Sequence, residues 1–125
     1  MTSAEEIRLL RGSVERLLGD VTADGVVRDD SPTGGSARAA LWSKLVDLGV
    51  VGITLPESMG GGGRSAQAAV EAVSALARFA VPSLVGETTL LGDWAVTEFG
   101  LAPCGGRPVT VATPLCAADV CPYRG

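Results

Sequence analysis

Histidine is absent from the 125 residues, lysine occurs once (Lys44), and aromatics are limited to two Trp, one Tyr and two Phe. Without histidine the chain loses the commonest general base and metal ligand, and neither Ser-His-Asp nor Cys-His machinery can be assembled within it. With so few aromatics, Leu, Val and Ala must fill any core. Ten basic residues stand against fourteen acidic ones, a net charge of −4. The basic residues are scattered and form no stripe, which excludes an electrostatic nucleic-acid site. No uncharged apolar run reaches the ~18 residues of a membrane span. The opening MTSAEEIRLL carries acids where a secretory signal carries a basic and then an apolar stretch, so no signal is expected and the cytoplasm is the expected compartment. Cys104, Cys116 and Cys121 match no zinc spacing and read as free thiols of a reducing compartment, with no metal role.

What is present suits one domain. Apolar residues make 46% of the chain, and 17 Gly and 7 Pro leave it short of low complexity. The pattern predicts an all-α fold, a bundle of about four main helices over residues 1–100, with a short irregular or single-strand tail over 101–125. A first helix is expected at 3–18. Ser3 and Glu6 have capping-box spacing, Ile7, Leu10, Val14, Leu17 and Leu18 share a face, and Gly19 supplies the stop. Residues 20–35 read as an acidic loop, its Asp29-Asp30 pair a solvated turn. A second helix is expected at 36–48, capped by Ser36 and stopped by Gly49, followed by an extended buried segment at 50–55.

A third helix is expected at 65–80. Its polar residues Gln67, Glu71, Ser74 and Arg78 form one narrow stripe, so it reads as buried on several sides. Pro82 ends it. A fourth is expected at 83–99, with Leu84, Leu91, Trp94, Ala95 and Phe99 as candidate buried positions, Gly100 as its stop, and Gly86 and Gly92 permitting close approach of a neighbour. Residues 108–113 could form one strand.

Residues 41–60 carry the most specific signal. A helix of the form L-W-x-K-L-x-x-L-G (Leu41, Trp42, Lys44, Leu45, Leu48, Gly49) leads into V-x-G-I-T-L-P-E-x-x-G-G-x-G (with Gly52, Ile53, Leu55, Pro56, Glu57, Gly60, Gly61 and Gly63), and then an Ala-rich helix. Over about residues 3–100 this order resembles the N-terminal helical domain of acyl-CoA dehydrogenases. The family usually has an aromatic before its double glycine; Met59 stands there here. A rival reading makes the glycines a phosphate cradle ahead of the helix beginning near Ser65, though the P-loop register and its Lys are missing.

The resemblance implies FAD-dependent α,β-oxidation of an acyl-CoA thioester, in fatty-acid or sterol side-chain metabolism. It further implies a central β domain and a C-terminal bundle that supply the flavin contacts and the catalytic carboxylate. Residues 101–125 then resemble the start of that β domain. On this reading the chain carries no catalytic, cofactor or metal residue of its own and does not bind FAD alone. Acyl-CoA is met only in an assembly completed by the remaining domains or a partner subunit. Leu84, Glu87, Thr88 and Leu91 are the expected substrate-binding residues, lining the far end of the acyl cavity. The alternative from another class is a non-catalytic helical interaction module that docks through the same apolar surface.

Overall fold

A computed structural model describes residues 3–23 and 32–111. Ser3 opens the first helix, α1 (Ala4–Thr22), with the expected capping box. Its backbone N–H donates to Glu6 Oε2 at 2.8 Å, and its hydroxyl accepts from the Glu6 N–H at 3.2 Å. Gly19 does not stop the helix. Thr22 continues the buried row Val14–Leu18 by one more turn and donates its hydroxyl to the Leu18 carbonyl, carrying the helix past an internal glycine that costs ~1 kcal/mol.

Helix α2 (Pro32–Asp47) begins four positions before Ser36. Pro32 occupies the first helical position, where its missing N–H costs nothing, so Ser36 lies inside the helix. The Asp29-Asp30 pair lies outside the described residues. Gly49 ends α2 as expected. It sits at φ +79°, its N–H bonds the Val46 carbonyl, and the Val50 N–H bonds that of Leu45, a Schellman motif.

The segment after Gly49 is not extended. Gly52 at φ +77° breaks it into successive turns, and a short 3-10 turn follows at Glu57–Met59. The chain then doubles back. Gly62 N–H donates to the Gly52 carbonyl, Gly63 N–H to Leu55 and Arg64 N–H to Ile53. Gly61 makes that return possible, because a Cβ there would overlap the Leu55 side chain and carbonyl.

Ser65 caps α3 (Ala66–Arg78). Its buried residues, Ala68, Ala69, Ala72, Ala75 and Leu76, form one small-residue face against α1. The expectation of burial on several sides is corrected, since Val70 is 49% exposed. Helices α1 and α3 run parallel. Arg64 pairs with Glu6, Arg11 with Glu71 and Arg78 with Glu15, so both chains climb together. α3 ends before Pro82, at Ala80, a non-glycine residue at φ +52°. The Ala80 N–H bonds Ala77 and the Val81 N–H bonds Leu76, the Schellman pattern again.

The last helical stretch starts at 85–86, passes through a π-helical segment, Glu87–Gly92, and ends as α4 (Asp93–Glu98). Gly100 closes it as expected, at φ +62°, with the Leu101 N–H on the Val96 carbonyl. The main core joins Val14 and Leu18 of α1, Leu41 and Leu45 of α2, Val50, Ala72, Ala75 and Leu76 of α3, Val81 and Val85. No strand occurs among the described residues. Residues 108–111 of the expected strand are irregular, and 112–113 lie outside the description, as do Cys116 and Cys121. No helix of the described residues is long and apolar enough to cross a membrane.

Candidate functional site

The last helical stretch, which includes the π-helical segment, turns one set of side chains inward. Val85, Thr88, Thr89, Gly92, Asp93 and Val96 are buried. Leu84 (45%), Leu91 (48%), Trp94 (54%) and Phe99 (66%) are exposed, which corrects the expectation that they pack inside; Ala95 is half-buried. The polar residues go in because each finds a backbone partner, as buried hydroxyls must. Thr89 donates to the Val85 carbonyl at 2.7 Å. Thr88 Oγ1 accepts from the Val109 N–H at 3.1 Å and donates to the Val109 carbonyl at 3.2 Å.

That reciprocal pair ties residues 103–109 to the helices. Trp42 adds an indole N–H to the Gly106 carbonyl at 2.8 Å. The glycines do permit close approach. Gly86 faces Val73 of α3, and a Cβ on Gly92 would press on Val109 at 3.1 Å.

Two cavities result. One, of about 470 Å3, lies between the Gly-rich turn and residues 103–109 and is lined by Thr88, Asp93, Cys104 and Arg107 with much glycine backbone. The other, of about 680 Å3, is apolar, with Leu41, Trp42, Pro82, Leu84 and Pro108 around Arg38. The four expected substrate-binding residues therefore do not share one cavity. Thr88 lines the first and Leu84 the second, while Glu87 and Leu91 are exposed and line neither. Cys104 is a free thiol.

Asp93 is a buried acid that sequence reasoning missed. It is 5% exposed, and Thr54 Oγ1 lies 3.0 Å from its Oδ2. Burial pushes its carboxyl above the ordinary aspartate value, against the opposing pull of the Thr54 hydroxyl and amide. Its signal was a single acid inside the apolar run L-L-G-D-W-A.

The Gly-rich turn offers no anion cradle. The N–H groups of Gly60, Gly61, Gly62, Gly63 and Arg64 all donate to carbonyls of the turn itself, so none is left for a phosphate. A flavin pyrophosphate therefore has no backbone cradle in this turn, and no three His, Cys, Asp or Glu among the described residues converge as metal ligands.

Comparison with protein families matches the acyl-CoA dehydrogenase N-terminal domain over residues 4–102. The chain belongs to that family. The match begins with α1 and runs two residues past Gly100, so it covers every helix described here. No curated protein and no solved structure gives a significant match.

Proposed function

We propose that this acyl-CoA dehydrogenase domain forms one wall of the acyl pocket of an FAD-dependent enzyme that oxidises an acyl-CoA thioester, and is not catalytic alone. The supporting observation is that Leu84, Leu91, Trp94, Phe99 and Leu101, all in one stretch of chain, are between 45% and 66% exposed. Exposed apolar side chains concentrated in this way suit a surface that other polypeptide covers. Of the four residues Leu84, Glu87, Thr88 and Leu91, the exposed Leu84, Glu87 and Leu91 are the proposed acyl-facing ones, with the buried Thr88 backing them, and residues 101–125 are proposed to begin the β domain. The flavin and the catalytic carboxylate belong to the other domains or to a partner subunit. This wall excludes water, which strengthens the electrostatics that govern proton and hydride transfer.

The test is absorbance between 350 and 500 nm after incubation with FAD and gel filtration, for the chain alone and for the chain mixed with a polypeptide carrying the other two domains. A flavin band only in the complex supports the proposal. A flavin band on the chain alone overturns it. A complex without flavin favours the interaction-module reading.

A further inference from the structure

Residues 103–109 are bonded to the helices at two points. Their root is fixed, because the Leu101 N–H bonds the Val96 carbonyl. Beyond it, among the described residues, no backbone–backbone hydrogen bond joins 102–111 to the rest of the domain. The first point is Gly106, whose carbonyl accepts from the Trp42 indole. The second is Val109, whose N–H and carbonyl both bond Thr88 Oγ1. Each point sits close on the body. A Cβ on Gly106, at φ +77°, would lie 3.2 Å from Val46 Cγ1, and one on Gly92 would lie 3.1 Å from the Val109 side chain. Between the two points the segment is braced from within. The Arg107 N–H bonds the Cys104 carbonyl at 3.2 Å, closing a turn over Gly105 and Gly106, and the rings of Pro103 and Pro108 fix φ on either side. None of residues 103–109 is buried. Pro103 to Arg107 and Val109 line the cavity of about 470 Å3, which the buried Leu55, Asp93 and Val96 also line.

We propose that residues 103–109 are a strap that opens and closes over this cavity as one body, latched by Trp42 and Thr88. A segment of unburied residues with few hydrogen bonds to its surroundings belongs to the low-stability end of a fold and opens before the helices do. Because the Cys104–Arg107 turn braces the strap, release at Val109 also releases Gly106. Opening uncovers Asp93 and Val96 and frees the Val109 N–H and carbonyl together. The ties and the cavity all lie within this chain, so the strap works in the same way whether or not the domain walls an acyl pocket.

The experiment is native-state hydrogen exchange of the full chain, followed by NMR. In wild type the Trp42 indole proton, told from that of Trp94 by Trp94→Phe, and the Val109 amide proton should report one opening equilibrium, with protection factors within about threefold of each other. Thr88→Val removes both bonds at Val109. Although Thr88 makes no bond to Trp42, this variant should lower the protection of the Trp42 indole by roughly tenfold and shift the Val96 methyl signals, and Thr88→Ser should restore both. A wider gap between the two protons in wild type, or unchanged Trp42 protection in Thr88→Val, means two independent ties and overturns the strap. Should Thr88→Val not fold, Trp42→Phe decides, since it removes the other tie. The Val109 amide should then exchange about fivefold faster, for one bond lost. Unchanged exchange at Val109 overturns the proposal.

Discussion

Arg11 of α1 and Glu71 of α3 meet at 3.1 Å across 60 positions of sequence. Arg11 also holds Glu15 at 3.0 Å, and Glu15 accepts from Arg78 at 2.8 Å, so four side chains form one ladder along two parallel helices. Glu15 is its junction. Each pair is partly exposed, which limits it to at most about 1 kcal/mol. Glu15→Gln should therefore cost about 1 kcal/mol in urea unfolding at low ionic strength. The loss should shrink in 1 M salt, where screening has already removed most of the attraction.

Gly60 and Gly61 are adjacent but unlike. Gly60 needs its positive φ of 82°, yet a Cβ there meets open space. A Cβ on Gly61 would collide with the Leu55 backbone. Gly60→Ala should cost about 1–2 kcal/mol of left-handed strain. Gly61→Ala should cost clearly more, about 3 kcal/mol or above, because the two limbs of the turn must separate and lose their hydrogen bonds. Chemical denaturation of both variants checks the ordering.

Ala80 does a glycine's work at the end of α3. Ala80→Gly relieves the φ of +52° while keeping the Val81–Leu76 closure. The gain should reach about 1 kcal/mol, reduced by the extra freedom of glycine in the unfolded chain. A raised Tm is the expected reading, and a lowered one would show that the strain is not there.

The capping box at Ser3 should be pH-sensitive. Bonding to the Ser3 backbone and hydroxyl, helped by Arg64, holds the Glu6 carboxyl below its ordinary value. A depressed carboxyl contributes stability that is present above its unfolded pKa and lost as pH falls through the folded one. Ser3→Ala removes the hydroxyl and should cost about 1 kcal/mol at pH 7. Thermal unfolding of Glu6→Gln against wild type should show a deficit at pH 7 that closes on acidification toward pH 3.

Much of this fold was legible because local chemistry and tertiary structure agree. Ser3 with Glu6, Gly49 and Gly100 mark helix ends by their own preferences, and the L-P-E-x-x-G-G-x-G stretch carried the family. Sequence failed where one local signal is outweighed by another or by burial. Gly19 is overruled by the buried Thr22, and Ala80 accepts a strained φ for a closure that Pro82 suggested elsewhere. The 50–55 segment is turned by Gly52. The largest miss is the last helical stretch. The side that goes in carries Thr88, Thr89 and Asp93, held there by hydrogen bonds that composition does not show, so the apolar residues of 84–99 were assigned to the wrong side. Asp93 was missed with it.

Because that stripe points outward, truncating it should behave unlike truncating the core. Leu45 is 1% exposed and sits among Val14, Leu18 and Leu76, so Leu45→Ala should cost about 2–5 kcal/mol. Trp94 and Phe99 touch each other edge to face at 5.9 Å but are 54% and 66% exposed. Trp94→Ser with Phe99→Ser removes little buried area and should cost below about 1.5 kcal/mol, the upper worth of such an aromatic pair. The same double variant should bind less of a hydrophobic dye and, mixed with the polypeptide of the other two domains, form the complex more weakly. A row that merely happened to be exposed would leave complex formation unchanged. A large stability loss would show instead that these rings are part of the domain's own core.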